Sequence, residues 1–420
     1  MIRTWYRVCH WLCAHLYFEQ ITVLHRERLP ARGPVIYLGT HRNGAVDGFT
    51  YRQVLPRSEF LISTQLLRSV FARLFFHGIP VTRDKDEGHH GQNEAALTLC
   101  RERVAAGGEL FIFPEGTSTL GPRHLPFKSG AARIAHDCLA HGLRPTIVPV
   151  GIHYERAWEF RSKAEIVIGP PIDTRLDPTA GAARQIVELK RRFTAALESV
   201  GVNFNSTAEQ QQAENLAYAA TLGSGQSYFR ALKTLEAGVP EPLLACWREV
   251  EAELAARDVW RHQGVPLFPT RPWPLYALAL ALLTPIVLAG FVANLPPLLA
   301  GGLAAKKCAD DRNVIALWRI LVGVPVFALW FTLGSATLLA TAGWPWVLVY
   351  FFLTWAALRG WYRTKKLAVA VGNAVRHGDS GPRIREFHLL LLRTLADEKV
   401  VAPPTTAGAA TMGAAPQPRS

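Results

Sequence analysis

The pattern of apolar and polar positions changes character twice along the chain. Between about residues 29 and 171, short apolar runs rich in β-branched and aromatic residues read as strands: 34–38 (PVIYL), 109–113 (ELFIF), 146–152 (TIVPVGI) and 164–168 (AEIVI). Longer stretches over 60–76 and 92–106 read as helices, the second stopped by Gly107 and Gly108. This alternation predicts an α/β fold, a mixed β-sheet flanked by helices, with its working residues on loops at strand ends. Residues 184–200 follow as a charged amphipathic helix, and the chain to about 262 reads as largely helical, punctuated at 223–225 and 238–240. Gly223-Ser224-Gly225 lacks the preceding strand and following lysine of a phosphate loop, and reads as a turn.

The second change comes after Arg271. Residues 275–299 are apolar and uncharged, 314–340 hold a single charge at Arg319, and 344–358 are apolar again, which predicts C-terminal membrane helices. Lys306, Lys307, Arg312 and Arg319 precede or open the second segment, and Arg359, Arg363, Lys365 and Lys366 follow the third. Those positions predict a hairpin with both ends cytoplasmic, tipped by Trp344 and Trp346. Pro285, Pro296 and Pro297 interrupt the first segment, which fits a broken or re-entrant helix. The alternative reading of these segments is a buried helix pair of a soluble domain. The expected organisation is an interfacial amphipathic helix at 1–24, a catalytic-type α/β domain at 25–175, a helical extension at 176–270, membrane segments within 271–366, a helical tail at 367–399 and a disordered end at 400–420.

Composition adds a direction. A formal net charge of +13 favours anionic partners, an acidic lipid surface or a phosphorylated substrate. The basic residues are spread along the chain and not gathered on one recognition helix, so no nucleic-acid partner is expected. The cysteines, at 9, 13, 100, 138, 246 and 308, show no metal or redox spacing and read as reduced thiols. Cys9 and Cys13 fall on one helical face, as small buried hydrophobes or as lipidation sites.

Three segments carry chemistry. His41 and Asp47 lie on the turn after the first strand, where a carboxylate can orient an imidazole as a general base. Pro114-Glu115-Gly116-Thr117-Ser118 leaves another strand through a tight turn that suits hydroxyl or phosphate recognition. Arg83, in Gly78-Ile79-Pro80-Val81-Thr82-Arg83, and Lys128 are cations suited to a phosphate.

Together, His41…Asp47, then Ile79–Arg83, then Phe113–Ser118, then Val148-Pro149-Val150 resemble the four ordered blocks of the glycerol-3-phosphate and 1-acylglycerol-3-phosphate acyltransferases. The resemblance covers about residues 30–175 and implies a glycerolipid acyltransferase fold, with a helix at 61–76 before the second block. It implies His41 as the base that takes a proton from the acceptor hydroxyl and Asp47 as its partner. It assigns Arg83, Glu115, Gly116, Thr117 and Lys128 to the phosphorylated glycerol acceptor, and Pro149 to the acyl donor. Acyl-CoA or acyl-carrier protein would be co-substrate; no metal, nucleotide or redox cofactor is required by that chemistry.

The chain departs from the common pattern in one place. Five residues, Arg42 to Val46, separate His41 from Asp47 where four are usual, and Thr40 stands where asparagine is common. The longer spacing, with the stretch from Ala293 to Arg319, is similar to the fungal-type glycerol-3-phosphate/dihydroxyacetone-phosphate acyltransferases. That subgroup implies acylation of glycerol 3-phosphate or dihydroxyacetone phosphate by a protein with membrane segments after its catalytic domain, and the basic residues flanking the hairpin add the expectation that this domain lies on the cytoplasmic face. The alternatives are a lysophosphatidate or other lysophospholipid acyltransferase, and a membrane-tethered lipid-binding protein without catalysis.

Overall fold

The computed structural model describes residues 2–67, 69–82 and 92–397. Arg83 and residues 400–420 lie outside the described residues. A seven-stranded sheet forms the centre, in the order β1-β7-β6-β2-β5-β3-β4. Its strands are β1 (Gln20–Leu24), β2 (Val35–Gly39), β3 (Ser58–Ser63), β4 (Ile79–Val81), β5 (Glu109–Ile112), β6 (Thr146–Tyr154) and β7 (Lys163–Ile168). All neighbours pair in parallel except β6 and β7. The sheet is therefore mixed, as expected. Every residue of β2 and β5 is buried, which explains why these strands read as continuous apolar runs.

Helices α1 (Ile2–Tyr17), α2 (Val46–Tyr51), α3 (Gln92–Ala105), α4 (Gly130–Ala140) and α5 (Ala182–Val200) surround the sheet. The N-terminal segment is not one helix to residue 24. It stops at Tyr17, where buried Arg161 donates to the carbonyls of His15 (2.6 Å), Leu16 (3.3 Å) and Phe18 (2.8 Å), filling the acceptors a helix end leaves open. The chain then becomes β1 and pairs with β7. Cys9 and Cys13 on α1 are buried.

The helix expected over 60–76 is absent. Ser58, Glu59 and Phe60 pair with Glu109, Leu110 and Phe111, and Phe60 stacks on Phe111 with ring centroids 4.5 Å apart. Arg57 holds Glu109 at 2.8 Å. Tertiary pairing along β5 overrides the helical pattern, and the remainder turns through two short 3-10 segments that leave Val70, Phe71 and Leu74 exposed.

Beyond the sheet, α6 (Thr207–Thr221), α7 (Tyr228–Glu236) and α8 (Glu241–Ala256) share an apolar cluster with α13 (Gly381–Asp397), through Leu216, Leu232, Trp247, Phe387 and Leu391. Between α8 and α13 run four apolar helices: α9 (Trp273–Ala293), α10 (Leu295–Cys308), α11 (Arg312–Thr341) and α12 (Trp344–Arg376). The first apolar segment breaks at Asn294, two residues before Pro296, as its prolines predicted. Among the described residues, α9 and α11 are long and apolar enough to cross a membrane. The reading of these segments as buried core helices fails, because Leu282, Leu333, Phe351 and Trp355 are each more than half exposed.

Candidate active site

Because β2 and β5 are parallel neighbours, with Leu38 opposite Ile112, the loops leaving them emerge side by side at one edge of the sheet. The β2 loop carries His41; the β5 loop carries Glu115. His41 Nδ1 donates to Asp47 Oδ2 at 2.8 Å, in the first turn of α2. The same oxygen accepts the backbone N–H groups of Arg42 (2.6 Å) and Asn43 (2.9 Å), and Oδ1 accepts the Tyr154 hydroxyl at 2.6 Å. With Nδ1 as donor, Nε2 is left as the acceptor of the ring. Asp47 is fully buried, and burial with the Asp47 charge drives the Tyr154 hydroxyl well above its usual range, so it stays a donor.

Gly44 absorbs the unusual spacing between the pair. It takes φ +52°, and a Cβ there would meet the Asn313 carbonyl at 3.0 Å. Asp47 N–H bonds to Gly44 O at 3.2 Å, so the extra residue is housed in the turn and the carboxylate still reaches the imidazole. Thr40, fully buried, accepts from Ile152 N–H at 3.1 Å through its hydroxyl and fastens this loop to β6.

Glu115 does not face open space. It is 2% exposed, and its oxygens accept the backbone N–H of His41 (2.8 Å) and of Leu125 (3.2 Å). Through these bonds the buried carboxylate clamps the β2 loop to the segment at Leu125. Gly116 takes φ +72°, and the Lys128 Cε stem lies 3.3 Å from where its Cβ would stand. Pro149 is buried in β6 opposite Leu38, and its carbonyl accepts Gly169 N–H at 2.9 Å. It is not among the residues lining the His41 cavity; it holds the sheet beneath the loop.

His41 stacks on Phe113 with centroids 4.1 Å apart, at the wall of a cavity of about 540 Å³. Gly116, Thr117 and Ser118 line it beside His41; Phe49, Phe60, Ile62 and Phe76 make it apolar. Polar groups that the sequence pattern did not single out also line it, Arg52 and His10 among them. Arg52 lies over the Phe60 ring at 4.9 Å, its pKa brought down to about 10 by burial, and His10 is brought down to about 4 by burial. The remaining wall comes from α11, far along the chain. Val314 and Leu317 face the cavity, and Asn313 Nδ2 donates to Ser118 O and Oγ, both at 3.1 Å. The sequence pattern assigns this run no such role; it enters there only through its likeness to a family subgroup.

The arrangement is a ring nitrogen free to accept a proton, fixed by a buried carboxylate, at the side of an apolar chamber with a cation within it. Comparison with known proteins agrees in kind. Residues 20–153 match the family model described as Acyltransferase. A 1-acyl-sn-glycerol-3-phosphate acyltransferase of Chlamydomonas reinhardtii is 28% identical over 42% of this chain and 55% of its own length. The Saccharomyces cerevisiae protein named glycerol-3-phosphate O-acyltransferase 2 is 41% identical over 14% of this chain and 8% of its own. An uncharacterized acyltransferase of Schizosaccharomyces pombe is 36% identical over 17% of this chain and 11% of its own. The chain thus spans about half the length of the first of these relatives and about a tenth of the other two. Among solved structures, that of the 1-acyl-sn-glycerophosphate (LPA) acyltransferase PlsC from Thermotoga maritima covers 47% of this chain and 77% of that one, at 19% identity and a TM-score of 0.32.

Proposed function

We propose, from the match of residues 20–153 to the Acyltransferase family model, that the chain moves a fatty acyl group from acyl-CoA or acyl-carrier protein to a hydroxyl of glycerol 3-phosphate or dihydroxyacetone phosphate. The observation that carries this reading is the His41–Asp47 bond at 2.8 Å beside the apolar cavity. His41 Nε2 takes the acceptor's hydroxyl proton while the oxygen attacks the thioester carbonyl. The tetrahedral intermediate collapses with loss of thiolate, which recovers the proton from the imidazolium. Asp47 fixes the tautomer and steadies the positive charge on the ring during the step. Thr117, Lys128 and Arg83 serve the phosphorylated acceptor, Arg52 adds a cation inside the chamber, and the apolar walls take the acyl chain.

Membrane insertion belongs to the same reading. The exposed leucines and aromatics of α9, α11 and α12 face lipid, α1 lies at the interface through Trp5 and Trp11, and the basic residues flanking α11 and α12 keep the catalytic domain cytoplasmic. A second reading, acylation of lysophosphatidate, draws on the name of the Chlamydomonas relative. An acceptor panel of glycerol 3-phosphate, dihydroxyacetone phosphate and lysophosphatidate in isolated membranes, run beside His41→Ala, tests both. His41→Ala is expected to lower kcat about 10²–10⁴-fold with protein level unchanged. Acylation of lysophosphatidate alone would overturn the first reading; undiminished turnover in His41→Ala would overturn catalysis by this site.

A further inference from the structure

A second cavity of about 520 Å³ lies where α9, α10, α11 and α12 meet the sheet domain. It shares no lining residue with the His41 cavity, although both abut α11: Val314 and Leu317 face one, Ile320 and Val324 the other. Its character changes along its length. At one end stand Arg319, Lys365 and Glu159; Lys365 is paired with Glu159, and Arg319 donates to Trp158 O at 2.9 Å. The remainder is lined by apolar side chains, among them Leu298, Phe327 and Trp361, and by Gly290, Gly301 and Gly323, where α9 closely approaches α12 and α10 closely approaches α11. Asn294 at the far end is satisfied internally, donating to Gly290 O at 2.8 Å and Thr354 Oγ1 at 2.9 Å and accepting from Tyr350 at 3.0 Å.

Helical rise gives the dimensions. From Arg319 to Phe327 along α11 is about 12 Å, and from Lys365 back to Thr354 along α12 about 16 Å. One leaflet of a bilayer contributes roughly 15 Å of hydrocarbon, half of the ~30 Å core. From Arg319 to the end of α11 at Thr341 is about 33 Å, so the charged end of the cavity lies at one face of the membrane when the tryptophans at 344 and 346 lie at the other. Two cations against one carboxylate leave that end net positive.

We infer that this cavity binds one anionic glycerophospholipid, an acyl chain filling its apolar length and the phosphate meeting Arg319 and Lys365. The inference rests on the membrane reading of α9, α11 and α12. The lipid is a bound ligand of the helix bundle, not a substrate of His41, because α11 stands between the two cavities. Its chain packs along the apolar walls of the cavity, and its headgroup bridges α11, α12 and the sheet domain.

The full chain, carried in vesicles of equal phosphatidylcholine and phosphatidylglycerol, is extracted in mild detergent and weighed by native mass spectrometry. Wild type is expected to retain one phosphatidylglycerol per chain. Val324→Trp, which fills the apolar length, lowers retention on the order of tenfold. Gly302→Leu, at a lining position where a Cβ meets nothing within 4 Å, keeps the fold and lowers retention in the same direction. Lys365→Gln leaves a lipid bound but abolishes the preference for phosphatidylglycerol. Flotation of the chain with no retained lipid, or retention equal in all variants, overturns the inference while leaving the membrane reading intact. Failure to float with vesicles removes the membrane reading, and the inference with it.

Discussion

Asp47 accepts four donors, and three of them are supplied by the turn that follows β2 or by His41 itself. The fourth, Tyr154, comes from β6 and ties the carboxylate to the sheet. Tyr154→Phe leaves Asp47 Oδ1 short of a buried donor, which should destabilise the fold by about 1–3 kcal/mol. It should also lower kcat several-fold with KM little changed, a split that a purely structural loss would not give; thermal melts and initial rates check it. His10 supplies a pH dependence. Its ordinary pKa of 6.5 is brought down to about 4 in the fold, chiefly by burial, so the neutral ring is the native form. Below pH 6.5 the unfolded chain takes up the proton first. Stability is therefore full above about 6.5 and falls as pH drops toward about 4, by on the order of 3 kcal/mol. His10→Gln, which keeps a donor for Phe75 O, should flatten the Tm-versus-pH curve across that window. At this scale the sequence was legible where chemistry is local. His41 and Asp47 stood on one turn; Tyr154, Arg52 and Asn313 reach them only through the fold, and no spacing announces them. The burial of Glu115 was not legible, since the same tight turn can present a carboxylate outward or inward.

Elements repeat that lesson with different causes. The strands at 35–39 and 109–112 were readable because burial on both faces makes them largely apolar, and those at 146–154 and 163–168 because their β-branched runs survive a few polar positions. β1 and β4 were not, being short edge strands whose identity depends on the partner, and β3 was hidden in a run whose apolar spacing suits a helix equally well. The element that matters most for specificity is α11, because its first turns close the cavity. Leu317→Ala should shift acyl preference toward longer chains, and Leu317→Trp toward shorter ones, by about tenfold in kcat/KM per 1.4 kcal/mol of lost or gained fit. A donor series of increasing chain length measures it. Asn313→Leu should lower turnover with every donor alike, since it frees the Ser118 loop and leaves the cavity size unchanged.

Across the whole molecule, the sheet domain and the apolar helices form one object. Ala316, Ile320 and Leu321 of α11 belong to the same apolar cluster as Phe49, Tyr51 and Phe111. Residues 2–24 contribute a helix against α11 and a strand at the sheet's edge, and Cys13, Tyr17 and Phe18 join the same core as the sheet. That continuity has a consequence in time. Asn313 closes over Ser118 from 195 residues downstream, so at ordinary ribosomal speeds the β5 loop waits roughly 10–40 s for its wall to be made. On the proposed membrane reading, the wall arrives as the leading end of a segment bound for the bilayer. Cell-free synthesis of the full chain should therefore yield turnover only when vesicles are present during translation, and much less when they are added afterwards. On that reading, completion of the site and its delivery to the membrane become a single event, and a copy kept from the bilayer stays silent.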